Sequence, residues 1–433
     1  MDLASEAAPV AVRSKPARAA RAEQAAERPA WAAAAAPAGR VASIDALRGF
    51  DMFWIAGGKG VVVALAVLVI AALKAVHLDI TPYFPSAAWF HHQMNHPAWR
   101  GFTAWDMIMP LFLFIVGAAM PFSFAKRIQK GQSTAALYVK VFRRVAILWV
   151  LGMIAQGNLL DFRYARLHLF SNTLQAIAIG YLVAAVALIH LPIVLQALLC
   201  AALLVGYWLL LLLVPVPGHA AGILEPTLNL ARYLDEAVLR GFRDGTTYTW
   251  ILSGMAFAGT TLLGVLSGHI LRTAWRPRLK VGVLVLAGEA LLALAWLWSG
   301  ELDGVFGVAL IGAWRLPIIK HIFSSSMVLW ACGWSFLLLS LFYLVIDVLG
   351  FRRWSFFFMV LGANAIFAYM VAETISGGIR VIARDLAGGL ARDLATFQPP
   401  GPEAGAALVV TTGFGLFWLV LLYMYRKGTF LRV

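Results

Sequence analysis

About ten apolar runs, each near twenty residues long and divided by more polar connections, leave this chain few folds to choose from. A run of that length crosses the hydrocarbon core of a bilayer as an α-helix. Inside lipid, only helices and closed barrels satisfy every backbone hydrogen bond internally. The runs fall near 48–73, 104–125, 138–156, 172–190, 193–214, 250–271, 281–299, 324–346, 355–376 and 405–425. They are continuously apolar rather than alternating, which selects helix over strand. The expected fold is therefore all-α: a polytopic integral membrane bundle of about ten transmembrane helices. Composition agrees, with 61% hydrophobic and 13% charged residues and a mean hydropathy of +0.81. A soluble chain is roughly half apolar and about a quarter charged. The turn at His190-Leu191-Pro192 is too short for anything but antiparallel neighbours.

The formal charge of +14 does not point to nucleic acid. Most Lys and Arg lie between apolar runs on one alternating set of connections: the N-terminal tail, Lys126 to Arg144, Arg272 to Lys280, Arg352/Arg353 and Arg426 to Arg432. The other set (74–103, 157–171, 215–249, 300–323 and 377–404) carries mixed charge. The positive-inside rule then expects an even number of spans with both termini cytoplasmic. Residues 1–40, rich in Ala, Pro and Arg and without an apolar core, read as a disordered tail rather than a signal peptide. The membrane domain is expected over 41–433. Cys200 and Cys332 fall within spans at no metal-ligand spacing, and read as buried structural thiols. No internal repeat is visible.

Ionisable groups in or beside membrane spans are expensive, and mark where function is to be sought. Asp45 and Arg48, three apart at the start of the first span, share a helix face. They suit an ion pair locking the helix or an anion site. His91, His92 and His96 precede the second span, with Asp106 just inside it. Histidine exchanges protons near neutral pH, so a histidine with Asp106 makes a plausible base and partner. A metal is not expected, because no Cys or close carboxylate completes a ligand set. Lys140, Arg143 and Arg144 serve topology or phosphate binding. Asn172, Gln175, Thr260, Thr261, Ser324, Ser325, Ser326 and Asn364 supply uncharged polar groups within later spans. Glu289 and Glu373 are expected to face the bundle or water.

Taken together, the motifs resemble those of the heparan-alpha-glucosaminide N-acetyltransferase family, bacterial homologues included. The resemblance rests on RVASIDALRGFDMFWIAGG (40–58) and HPAWRGFTAWDMIMPLFLFIVG (96–117). It continues with NTLQAIAIGY (172–181), TTLLGVLSG (260–268), SSSMVLWACG (324–333) and LGANAIFAY (361–369), in the family's order. It departs in reading Gln175-Ala176 where the family often has a Gln-Arg pair, and Ile55-Ala56 where the lysosomal enzyme has an asparagine before its Gly-Gly. The lysosomal enzyme's large luminal domain also has no expected counterpart here.

The resemblance implies a transmembrane acyltransferase. It would take acetyl-CoA from the cytosolic side and pass the acetyl group to the amine of an amino sugar or glycan on the far side. His96 would be the catalytic residue, as general base or as acyl carrier, with Asp106 orienting its ring. Arg48, Arg143 and Arg144 would attract the donor's phosphates. Asp45, Asn172, Gln175, Ser324, Ser325 and Asn364 complete the residues expected to bind acetyl-CoA. The expected partners are the acceptor, the lipid bilayer and a second copy in a homodimer, in a bacterial inner membrane. The rival reading is a solute transporter or flippase lined by the same polar groups.

Overall fold

The computed structural model describes residues 41–78, 89, 92–300 and 312–431. The tail at 1–40 and His91 lie outside the described residues. Every extended element among the described residues is helical, and the backbone makes one isolated β-bridge, between Arg100 and Ile319.

The helices are α1 (Ala42–Ala75), α2 (Ala104–Gln129), α3 (Thr134–Ala155), α4 (Thr173–His190), α5 (Ile193–Leu213), α6 (Leu230–Leu239), α7 (Gly254–Arg272), α8 (Pro277–Ser299), α9 (Ser325–Val348), α10 (Ser355–Ala363), α11 (Ala365–Thr374), α12 (Ser376–Ala395) and α13 (Gly401–Arg426). Among the described residues, eight (α1, α2, α4, α5, α7, α8, α9 and α13) are long and apolar enough to cross a membrane. The α10–α11 pair makes a ninth candidate, bent by 76°. The expected span at 138–156 is also a helix, α3, but Lys140, Arg143 and Arg144 crowd its first half and shorten its apolar run.

Helices α2, α4, α7 and α9 are the most buried, and α5, α8 and α13 present most of their apolar windows outward. Between membrane helices lipid is as apolar as leucine, so close approach through small residues sets the packing. A Cβ on Gly117 of α2 would lie 2.0 Å from Thr261 O, and one on Gly264 of α7 would lie 2.1 Å from Phe114 O. Gly49 of α1 meets Phe358 O of α10 in the same way. The α1 N-terminus is held by Asp347, whose carboxylate accepts from Ala42 N at 3.3 Å and Ser43 N at 3.1 Å. At Trp54–Gly58, α1 passes through a π-turn in which Gly57 has φ of 115°.

Glu373 meets a polar neighbour, Gln156, whose Nε2 donates to Oε2 at 2.9 Å. Of the two alternatives expected for Glu289, the bundle is excluded: it is exposed on α8. The seam of α8 runs through Leu284, Gly288 and Ala295, with Gly288 closing on Gly333 of α9. One residue further along a helix points about 100° away, which turns Glu289 out of that seam.

Candidate functional site

A capping box opens α2. Thr103 N–H donates to Asp106 Oδ2 at 2.9 Å, and Thr103 Oγ1 lies 3.1 Å from the same oxygen. This local motif stops Asp106 from pointing back toward water and buries it completely. Its other oxygen, Oδ1, lies 2.5 Å from His96 Nδ1. A carboxylate accepts, so the imidazole donates through Nδ1 and its lone pair sits on Nε2. The His96 side chain remains 35% exposed while that of Asp106 is 0% exposed, so the imidazole is reachable and the carboxylate is not.

The third member comes from a segment the sequence reading did not single out. Lys320 Nζ lies 3.3 Å from Asp106 Oδ1 and 3.2 Å from His96 Nδ1. It is buried, and burial pulls its ammonium below the ordinary lysine range while Asp106 opposes that shift. The connection that carries Lys320 is tied to the His96 loop by Gly101 N–H donating to Ile318 O at 2.9 Å. His321 follows it, against Tyr248 (ring centroids 4.4 Å apart) and Trp99, with Nδ1 2.8 Å from Thr247 Oγ1. Burial lowers the His321 pKa, and the charges of His96 and Lys320 lower it further against Asp106. Tyr248 is pushed up to about 12, by burial first and by Asp106 second. A lysine just before a capped apolar helix is the one signal available for Lys320.

At the other end of α2 lies a cavity of about 690 Å³ bordered by four arginines: Arg48, Arg127, Arg144 and Arg426. Arg48 pairs with Asp45 at 3.4 Å, as their spacing requires. Arg144 stacks over the Tyr181 ring, 4.4 Å from its centroid, and its buried Nε–H has no partner among the described residues. A buried guanidinium donor left open in a basic cavity fits a phosphate oxygen. Arg143 is exposed and does not line the cavity. Arg127 and Arg426, which the sequence reading assigned to topology, do.

The expected polar residues fall into two groups. Asn364 sits at the α10–α11 bend, accepting from Leu431 N at 3.0 Å and donating to Thr429 O at 3.1 Å. It thereby holds the C-terminal segment, including Gly428, Phe430 and Leu431, as a wall of the arginine cavity. The others are engaged in holding the fold. Asn172 caps α4, accepting from Leu174 N at 2.7 Å and donating to Tyr369 Oη at 3.0 Å. Gln175 bonds Ser171 N and Leu169 O. Ser324 caps α9 and donates to Pro317 O at 2.9 Å, shaping the turn that presents Lys320. Ser325 donates to Leu204 O at 2.7 Å.

A second cavity, of about 410 Å³, adjoins the Asp106 end and includes Thr103, Met107 and Leu111 in its lining. The His96 ring is not among the residues lining either cavity. Along α2 the linings pass from Leu111 on the one to Phe112 on the other. Neighbouring side chains, rather than whole helical turns, separate the two.

The chain is 25% identical over 331 residues to human (Homo sapiens) heparan-alpha-glucosaminide N-acetyltransferase. The two proteins are distantly related. The alignment takes in 64% of this chain and 48% of the relative, so the chain spans about half the length of the curated protein it matches. No family model matches the chain. The distant relationship and the helical bundle agree on an integral membrane protein.

Proposed function

We propose that this chain is a transmembrane acyltransferase, moving an acetyl group from cytosolic acetyl-CoA to the amine of an amino sugar or glycan on the opposite face. The observation that carries this reading is the placement of two complementary sites on one helix. His96, Asp106 and Lys320 gather at the N-terminal end of α2, and the four arginines gather around its C-terminal end. Asp106 and Arg127 are separated by about 32 Å of helix, which is the thickness of a hydrocarbon core. The basic end is the cytoplasmic one by the distribution of Lys and Arg. The distant relationship to an N-acetyltransferase supports the reaction class. The setting we infer is a bacterial plasma membrane.

The thioester substrate is already activated, so the protein must align it and remove a proton. Arg48, Arg127, Arg144 and Arg426 would hold the phosphates. His96 Nε2 takes the proton of the acceptor nitrogen as that nitrogen attacks the thioester carbonyl. The C–N bond forms, the C–S bond breaks, and the departing thiolate receives a proton, restoring neutral His96. Asp106 stabilises the imidazolium formed between these steps, as the acid partner of a catalytic histidine does. Lys320 offsets the buried Asp106 charge, with its Nζ 3.3 Å from Asp106 Oδ1 and 3.2 Å from His96 Nδ1.

The test uses the purified chain in proteoliposomes with acetyl-labelled acetyl-CoA on one side and glucosamine on the other. Labelled N-acetyl product with equimolar free CoA is expected. Glucosamine crossing the bilayer unmodified, with no CoA released, would replace this reading with transport.

A further inference from the structure

The cavity beside the Asp106 end contains a carboxylate that the reaction above does not use. Asp51 of α1 is 0% exposed, it borders the cavity, and both its carboxyl oxygens lack a hydrogen-bond partner among the described residues. Around it stand Trp54, Trp105, Trp330 and Trp334, with Phe50 and Phe102. The wall is otherwise mainly aliphatic, and among the described residues the other hydrogen-bonding side chains besides the tryptophans are Gln93 and Thr103. Gln93 Oε1 is already occupied by Ala104 N–H at 3.0 Å.

A buried carboxyl with both oxygens unpartnered among the described residues is costly to ionise unless a ligand compensates it. Intramembrane acids of this kind mark ligand or ion paths. Aromatic faces attract a cation, and a carboxylate completes its neutralisation. Together these surfaces match a positively charged amine carried on an apolar body. The ammonium would meet Asp51 and its body would lie against the tryptophans. A polyhydroxylated ligand fits poorly, because few wall groups could replace the water its hydroxyls would lose. A plain hydrocarbon chain would leave Asp51 unsatisfied. Lys59, a cation near the rim, does not compete for Asp51: its Nζ is held by Asn95 Oδ1 at 3.3 Å and lies over the Trp105 ring at 4.4 Å.

We propose that this cavity is a binding site for an organic amine on an apolar body, with Asp51 as the group that recognises the ammonium. It adjoins the His96 cluster through Thr103, which borders the cavity and holds Asp106. Binding there does not depend on acyl transfer.

The experiment compares 2-phenylethylamine with its isostere 2-phenylethanol, titrated calorimetrically into the purified full chain in detergent at pH 7 without acyl-CoA. The amine is expected to bind at least about tenfold more tightly than the alcohol. That preference should vanish in Asp51→Asn, with alcohol binding unchanged. A second measurement needs no variant. Dicyclohexylcarbodiimide should label Asp51 in the wild-type protein, as peptide mass spectrometry reads it, and the amine but not the alcohol should slow that labelling. Equal affinity for the two probes, an amine preference that survives Asp51→Asn, or Asp51 labelling that is absent or indifferent to the amine would each overturn the proposal. Because no acetyl donor is present, these outcomes stand apart from success or failure of the transferase assay.

Discussion

Lys320 Nζ sits 3.3 Å from Asp106 Oδ1, bringing the connection before α9 onto the capping box that begins α2. The pair is buried on both sides, Lys320 at 8% and Asp106 at 0% side-chain exposure. Removing one member of a buried pair strands the other's charge, at a cost of about 3–5 kcal/mol. Lys320→Met should therefore lower thermal stability markedly. The double variant Lys320→Met with Asp106→Asn should recover much of that loss without recovering transfer. Thermal unfolding in detergent, run beside the acetyl-CoA assay on all three proteins, checks this. Equal stability of Lys320→Met and wild type would mean that the pair contributes nothing to the fold.

His96 carries no comparable burden in the fold, since a third of its side chain is exposed. His96→Ala is expected to leave the unfolding midpoint nearly unchanged and to reduce transfer about 10²- to 10⁴-fold, the usual contribution of a positioned base. Near-normal turnover by the purified variant would remove His96 from the mechanism.

The arginine cavity separates residues that the sequence treats alike. Arg144 borders it with an unsatisfied Nε–H, whereas the adjacent Arg143 is exposed outside it. Losing one charge-assisted contact to phosphate weakens binding by about 1.5–3 kcal/mol. Arg144→Ala and Arg127→Ala should each raise the KM for acetyl-CoA roughly tenfold or more with kcat little changed. Arg143→Ala should match wild type. Initial rates across a donor series distinguish the three, and a large effect confined to Arg143 would contradict the cavity's assignment.

Asp235 on α6 gives the protein a pH dependence outside the membrane spans. Its carboxylate accepts from Trp250 N at 2.8 Å and Ile251 N at 2.9 Å, yet burial outweighs these bonds and raises its pKa to about 6. A carboxyl raised in the folded state stabilises the fold fully below its unfolded value, near 3.8. That stability is lost as pH climbs through about 6. The loss is on the order of 3 kcal/mol. Unfolding midpoints should fall between pH 4 and 6, then level off, and Asp235→Asn should flatten that slope. An unchanged slope in the variant would assign the effect to another group.

Close approach of α2 and α7 depends on glycine. A Cβ on Gly264 would sit 2.1 Å from Phe114 O, whereas one on Gly282 of α8 would meet nothing within 4 Å. Overpacking of this kind costs about 1–3 kcal/mol, so Gly264→Ala should destabilise the bundle. Gly282→Ala should stabilise it slightly, by roughly 0.5–1 kcal/mol, through helix propensity. Thermal unfolding of the two variants under one detergent condition is the measurement.

Local patterns made much of this molecule legible. Runs of apolar residues near twenty long dictate membrane helices because the bilayer offers the backbone no other partner. The Asp45–Arg48 pair is legible because its members lie three apart on one helical turn, whereas the equally local Thr103–Asp106 capping box emerges only with the structure. Residue types alone suggest a histidine partnered with Asp106, the motif resemblance selects His96, and the two lie 2.5 Å apart. What composition and spacing could not supply is whatever depends on two distant segments meeting. Lys320 belongs to the His96 cluster because the 316–324 connection bridges to Arg100 and Gly101. Arg144 turns inward and Arg143 outward because of how α3 sits against α4 and Tyr181. Glu289 faces out because the α8–α9 seam passes through Gly288 instead. Periodicity tells which residues share a face, but which face finds a partner is decided only when the helices pack.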